Sequence, residues 1–139
     1  MDNVGKSTPG SAQSVWIIDG DESKRTQMHD SLVGHGYAVH AFEDISSTLT
    51  SPPRDEPLIV IVAERLATEP LVELLDQLNR ARAMTLTIVT SSSGSIESAV
   101  NAFRYGAQDY LPEPYSIFEL DDVIRRALEK ANKKEGIAA

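Results

Sequence analysis

The sequence predicts an α/β fold in which a doubly wound, five-stranded parallel sheet is covered by five helices on both faces. Short apolar runs alternate with helical patterns of apolar residues along most of the chain. The most continuous run, Leu58–Ala63, is apolar at every position, which is typical of a central strand buried on both sides. A length of 139 residues is that of one domain with a single core.

The first part of the chain predicts two strands with a helix between them. Ser14–Asp19 is an apolar run that ends at a carboxylate, as a buried strand does, and Tyr37–Phe42 alternates as a second strand. Ser23–Val33 predicts the intervening helix, with Asp21 or Glu22 at its N-terminus.

The remaining helices follow from apolar residues at helical spacing. A short second helix is predicted at Ile45–Leu49, and the third begins near Pro70, a residue suited to a first turn. Strands at Leu86–Thr90 and Gln108–Leu111 separate the last three helices. The apolar positions of these helices are Leu71, Leu74, Leu75 and Leu78; Ile96, Ala99, Val100 and Phe103; and Ile117, Leu120, Ile124, Ala127, Leu128 and Ala131.

The two ends of the chain differ in composition from the middle. Residues 1–13 are rich in Ser, Gly and other polar residues, and they predict a disordered leader. We expect the globular domain over residues 14–132 and a tail or the start of a linker over residues 133–139.

Composition argues against several function classes. A net charge of -8 disfavours direct contact with nucleic acid, which normally requires a basic patch. No apolar run approaches the roughly 20 residues of a transmembrane helix, and the first residues lack the apolar segment of a secretory signal. The absence of cysteine fits a reducing compartment. We therefore expect a cytoplasmic domain that contacts neither membrane nor nucleic acid.

Residues 106–114 carry a family resemblance. They read Gly-Ala-Gln-Asp-Tyr-Leu-Pro-Glu-Pro. This segment resembles the end of the fifth strand in bacterial response-regulator receiver domains, especially those of nitrogen-regulator-type transcriptional activators. The resemblance extends over about Ser14–Lys130 and implies the flavodoxin-like strand order 2-1-3-4-5. In such sheets the functional site lies at the carboxyl ends of the strands.

The resemblance implies that three parts of the receiver pocket are lost. Receivers hold magnesium with two adjacent acids after the first strand, but this chain reads Asp19, Gly20, Asp21, and Gly20 takes the place of the second acid. The phosphoacceptor aspartate that ends the third strand corresponds to Ala63. The lysine that contacts the aspartyl phosphate corresponds to Glu113.

These replacements remove the groups that the reaction requires. Forming an acyl phosphate needs a carboxylate nucleophile, a divalent cation and a fixed positive charge beside the phosphoryl group. Ala63 supplies no nucleophile, Gly20 removes a hard oxygen ligand for magnesium, and Glu113 reverses a charge. We therefore expect a pseudo-receiver that is not an enzyme and has no cofactor, with Asp19 and Asp21 only weak candidates for a cation.

Other features of the receiver pocket are kept or remain open. The hydroxyl that ends the fourth strand is kept as Ser91, and the aromatic switch residue of the fifth strand as Tyr110. Glu64 is a candidate substitute acceptor or phosphate mimic, but strand alternation directs it away from the side chain of residue 63 and favours a solvated loop residue. A Ser or Thr within residues 90–93 is a further candidate acceptor, against the simpler interpretation of a polar turn.

Simpler structural roles are also available to the acidic residues of the pocket. Asp19 and Asp21 match a helix cap, which the helix dipole favours. A salt bridge of Glu113 with Lys24 or Arg65 could replace the phosphate network, although surface pairs contribute little to stability.

We interpret the chain as a phosphorylation-independent protein–protein interaction module, either the regulatory domain of a transcriptional activator or a small stand-alone adaptor. The alternative is a receiver that still accepts a phosphoryl group at a non-standard residue. A flavodoxin-like ligand-binding domain is disfavoured, because residues 91–95 contain only one glycine and form no glycine-rich phosphate loop.

The resemblance places the interaction surface on the fourth helix, fifth strand and fifth helix. The apolar stripe of the fifth helix is wider than packing on one sheet face requires, which predicts an interface for a homodimer or a partner protein. Val123 is the apolar position that we expect to be least involved in the core. The interface candidates are Val100, Phe103, Arg104, Tyr110 and Val123.

Overall fold

Five parallel strands form one sheet in the computed structural model, which describes residues 13–50, 57, 59–64, 71–81 and 85–138. The strands are β1 (Ser14–Ile18), β2 (Ala38–Phe42), β3 (Ile59–Ala63), β4 (Leu86–Ser91) and β5 (Asp109–Pro112). Their order across the sheet is β2-β1-β3-β4-β5, and every neighbouring pair is parallel. The predicted strand order is therefore confirmed.

Five helices connect and follow these strands. They are α1 (Glu22–Gly34), α2 (Ile45–Thr50), α3 (Leu71–Ala81), α4 (Ile96–Arg104) and α5 (Ile117–Ala138). Asp21 is the N-cap of α1, as expected for the acidic residue at its start. Within the described chain, no helix is both long enough and apolar enough to cross a membrane.

The two ends of the chain bear differently on the predicted boundaries. The expected disordered leader lies outside the described residues except for Gln13, whose carbonyl oxygen accepts a hydrogen bond from the backbone of Ala38. Helix α5 includes residues 133–138, so the chain is helical where we expected a tail or the start of a linker.

The hydrophobic core lies on both faces of the sheet because the two central strands are buried along their whole length. All five residues of β1 and all five of β3 are buried. Alternate residues point to opposite faces. Val15 and Ile17 pack with residues of α1 and α5, whereas Trp16 and Ile18 pack with Ile45 of α2.

Helix α5 uses its apolar stripe to build this core. Leu120, Val123, Ile124 and Ala127 are all buried in one cluster with α1 and the sheet. The prediction that the stripe exceeds what packing requires is wrong for these positions. Two neighbours, α1 and the sheet, cover the helix, so a wide stripe is needed.

The strand ends place the candidate site at the carboxyl edge of the sheet. Strand β1 lies between β2 and β3, so the chain connections leave it in opposite directions and open a crevice there. Ala63 pairs with Thr90 at this edge. The backbone N–H of Glu64 donates to Thr90 (2.8 Å), and that of Glu113 donates to Ser91 (2.8 Å), which extends the sheet past β3 and β5.

Candidate functional site

Asp19 lies at the bottom of the crevice and is held by local hydrogen bonds. Its side chain is buried, and its Oδ1 accepts a hydrogen bond from the backbone N–H of Asp21 (2.9 Å). The Arg25 guanidinium donates to the Asp19 carbonyl oxygen (2.7 Å). A positively charged side chain thus contacts the residue that the resemblance assigns to the first acid of the receiver pocket.

The second acid of this loop acts as a helix cap. Asp21 Oδ1 accepts a hydrogen bond from the backbone N–H of Lys24 (3.1 Å). A carboxylate at this position also complements the positive end of the helix dipole. The capping interpretation of Asp21 is therefore confirmed.

The residues at this edge do not fit a magnesium ion. Magnesium requires a nearly octahedral set of oxygen ligands. Gly20 and Ala63 offer no side-chain oxygen, while one oxygen of Asp19 and one of Asp21 accept backbone hydrogen bonds. Among the residues that the structure describes, no cluster of three or more His, Asp or Glu side chains is arranged to hold a metal.

The position that the resemblance assigns to the phosphoacceptor is occupied by a buried methyl group. Ala63 is 1% exposed and ends β3 inside the core. Beside it, Thr90 and Ser91 are also buried, and Ser91 Oγ accepts a hydrogen bond from the backbone of Ser93 (3.1 Å). Ser92 and Ser93 are exposed in the following turn. No carboxylate therefore occupies the position of the usual nucleophile.

Glu113 forms a short ion pair across the crevice. The Lys24 Nζ lies 2.6 Å from Glu113 Oε1, with side-chain exposures of 44% and 12% respectively. Of the two salt bridges considered for Glu113, the one with Lys24 is present, whereas Arg65 lies outside the described residues. An open groove of about 680 Å³ lies beside the pair, between α1 and the segment that leads into α5.

Glu64 takes part in a hydrogen-bonded chain on the α4 side of the sheet. Ser98 Oγ donates to Glu64 Oε1 (2.6 Å), and the Tyr110 hydroxyl donates to Ser98 Oγ (3.0 Å). Glu64 is half-buried, so its interpretation as a solvated loop residue is wrong. Helix α4 covers this end of the sheet and brings Ser98 to Glu64, a contact 34 residues apart that no local pattern indicates.

The predicted interface residues separate into an exposed and a buried group. Ile96, Val100 and Phe103 form an exposed apolar stripe on α4, and Arg104 beside them is exposed as well. Tyr110 is half-buried. Val123 is only 3% exposed and belongs to the core, so its choice as the least core-like position was wrong.

Residues 15–125 match the response regulator receiver domain family. The chain belongs to this family. The match covers β1 from Val15 onward, the other four strands in full, and the residues at their carboxyl ends, including Asp19, Ala63, Ser91 and Glu113. This receiver domain thus has the family's five-stranded sheet.

Among the relatives of this receiver domain are transcriptional regulators. The DNA-binding transcriptional regulator NtrC of Salmonella typhimurium is 27% identical over 121 residues, which cover 87% of this chain and 26% of that protein. The C4-dicarboxylate transport transcriptional regulatory protein DctD of Pseudomonas aeruginosa is 34% identical over 122 residues, again 87% of this chain and 26% of the relative. The chain therefore spans about a quarter of the length of these relatives.

A solved structure of similar shape is NtrX from Brucella abortus. It superimposes with a TM-score of 0.82 at 26% identity, over 91% of this chain and 29% of that chain.

Proposed function

We propose that this receiver domain regulates a transcriptional activator through protein–protein contact, without being phosphorylated itself. It acts in this proposal as a pseudo-receiver, neither an enzyme nor a magnesium-binding protein. Its surface, rather than a change in its pocket, carries the signal to the partner.

The ion pair between Lys24 and Glu113 is the observation that carries this proposal. A phosphoryl group at the strand ends would need a positive charge at position 113, but a carboxylate with little exposure lies there. Lys24 neutralises that carboxylate through a direct ion pair. Together with Ala63 and Gly20, the pair supports a pocket that is complete without phosphate.

The relatives support a role in transcription. Both the NtrC and DctD relatives are named as transcriptional regulators, and this chain corresponds to about a quarter of each. We therefore assign the chain to the regulatory part of an activator whose DNA contacts are made elsewhere. Since bacterial transcription takes place in the cytoplasm, we assign the domain to that compartment.

The surface that we propose for contact is the face of α4, β5 and α5. The exposed apolar stripe of α4 supports this assignment, because solvent-exposed side chains at Ile96, Val100 and Phe103 contribute nothing to the core. We propose a homodimer through this face.

Phosphotransfer from a small phosphodonor tests the proposal. The wild-type domain is incubated with acetyl phosphate and magnesium, and its intact mass is measured. We expect no added phosphate, because position 63 carries no carboxylate and the residues around it do not fit a magnesium ion. The matched positive control is the triple variant Gly20→Asp, Ala63→Asp and Glu113→Lys, which restores all three receiver residues and is expected to gain one phosphoryl group.

A phosphate adduct on the wild type at the level of the triple variant would contradict the proposal. Peptide mapping would then locate the acceptor, with Glu64 and the hydroxyl residues 90–93 as the positions to examine. An adduct at Glu64 or at a hydroxyl group within residues 90–93 would establish the alternative of a receiver with an unusual acceptor.

A further inference from the structure

The hydrogen-bonded chain that begins at Tyr110 connects β5, α4 and the end of β3. Tyr110 donates to Ser98, and Ser98 donates to Glu64. A single serine hydroxyl can donate once and accept at the same time, so the carboxylate at one end fixes the direction of both bonds. A charged acceptor also strengthens the bond that it receives and polarises the next one.

Both ends of this chain are anchored to the sheet. The backbone N–H of Glu64 donates to the Thr90 carbonyl oxygen (2.8 Å), which ties the residue after β3 to β4. Tyr110 is itself a residue of β5, in register with Val89. Ser98 therefore connects α4 to two residues near the carboxyl ends of the strands, Glu64 after β3 and Tyr110 in β5.

Ser98 and the exposed stripe lie on opposite faces of α4. Ser98 and Ala102 are buried, whereas Ile96, Val100 and Phe103 are exposed. With 3.6 residues per turn, these two sets are separated by about half a turn. The hydrogen bonds of Ser98 therefore position the exposed stripe, although Ser98 is not itself part of that stripe.

We propose that Glu64 is a positioning residue that acts through Ser98 to hold α4 and Tyr110 in a single arrangement. Its carboxylate thereby fixes the interaction surface in the absence of a phosphoryl group. This inference deepens the proposed function and rests on it for its biological use, since a domain regulated without phosphate needs another way to order this surface. The contacts themselves do not depend on whether the pocket accepts phosphate.

Amide hydrogen exchange of the wild-type domain and its variants, without any phosphodonor, tests the attachment of α4. We expect Glu64→Gln and Ser98→Ala each to raise the exchange rate of the α4 amides about tenfold, equivalent to about 1.4 kcal/mol. Alanine is the better helix former, so faster exchange in Ser98→Ala cannot come from helix propensity. Amides of β1 and α1 report whether each variant is folded, and Glu43→Gln, an exposed carboxylate at the end of β2, is the matched control.

The NMR resonances of the Tyr110 ring distinguish a positioning role of Glu64 from a merely structural one. Glu64 touches Tyr110 only through Ser98 among these contacts. Glu64→Gln should therefore shift the Tyr110 resonances in the wild-type background and leave them unshifted in the Ser98→Ala background. Ser98→Thr keeps a hydroxyl, so Glu64→Gln should still shift the Tyr110 resonances in that background.

Three results would overturn the inference. They are unchanged α4 exchange in both Glu64→Gln and Ser98→Ala, an equal Tyr110 shift with and without the Ser98 hydroxyl, and no Tyr110 shift in either background. The acetyl phosphate experiment is independent of these measurements. If the wild type accepts phosphate while Glu64→Gln still shifts the Tyr110 resonances through Ser98, the proposed function is rejected. The positioning role of Glu64 then remains in place.

Discussion

At the scale of single residues, the ion pair between Lys24 and Glu113 joins a shielded carboxylate to a partly exposed ammonium group. Glu113 is mostly shielded from water, and removing a carboxylate from water costs free energy unless a cation compensates. Lys24 supplies that cation from α1, at hydrogen-bonding distance. Its own side chain is nearly half exposed, so water can solvate it if the pair is broken. Glu113 therefore depends on Lys24 for compensation of its charge more than Lys24 depends on Glu113.

This inequality predicts which substitution destabilises the domain more. We expect Lys24→Gln to lower the free energy of unfolding by about 1–3 kcal/mol, because it leaves a shielded carboxylate without its ammonium partner. Glu113→Gln should cost less than about 1 kcal/mol, since Lys24 remains partly solvated. Urea unfolding measures both values.

The double variant is the control for this prediction. Replacing both residues by glutamine also removes the shielded carboxylate, so the double variant should be more stable than Lys24→Gln alone. Equal costs for the two single variants, or a double variant that equals their sum, would show that the pair does not act as described.

At the scale of elements, the two helices next to β5 differ in how much of their apolar stripe is exposed. The wide apolar stripe of α5 is covered by α1 and the sheet, which buries Val123. Helix α4 has only nine residues and leaves Ile96, Val100 and Phe103 in solvent. The number of neighbours that cover a helix determines how much of its stripe is exposed, and this number is a property of the assembled fold.

The difference between local sequence patterns and properties of the assembled fold explains which features could be predicted from the sequence. Strands, helices and the cap at Asp21 follow from local patterns, and the strand order follows from the resemblance carried by residues 106–114. The partnership of Lys24 with Glu113 could be anticipated from charge. The Ser98 contact of Glu64 could not, because it depends on the position of α4 over the sheet.

The start of α2 offers a test of helix capping through pH. Asp44 Oδ1 accepts hydrogen bonds from the backbone N–H and the hydroxyl of Ser47, both at 2.9 Å. These bonds lower the pKa of Asp44 below its usual range. A carboxyl group with a lowered pKa in the folded state contributes stability above its unfolded pKa, and that contribution is lost as the pH falls through the folded value.

The predicted effect is a pH-dependent difference between the wild type and Asp44→Asn. Near neutral pH the wild type should be more stable by a few tenths of a kcal/mol up to about 0.5 kcal/mol, a small value because solvent screens this exposed group. The difference should decline below about pH 4, near the unfolded pKa of aspartate, as the carboxylate is protonated. Thermal unfolding of both proteins across this range checks the sign, and a difference that grows toward acid would contradict it.

At the scale of the whole molecule, net charge and the α4 surface act in opposite directions on self-association. Each chain carries a net charge of -8, so two copies repel each other over distances comparable to the Debye length. The apolar stripe of α4 favours burial against a partner. A homodimer through this stripe should therefore become tighter as ionic strength rises.

Two valines of similar exposure allow this dimer to be tested with a matched control. Val100 on α4 is 51% exposed and Val33 on α1 is 48% exposed, and neither belongs to the buried core. A twofold interface contains each residue twice, so Val100→Glu should weaken dimerisation about a hundredfold, or about 1.4 kcal/mol for each copy, whereas Val33→Glu should leave it unchanged. Sedimentation equilibrium at low and high salt measures both effects. A wild type that stays monomeric at high concentration and high salt, or equal weakening by the two substitutions, would reject the α4 interface and favour a different protein as the partner of this face.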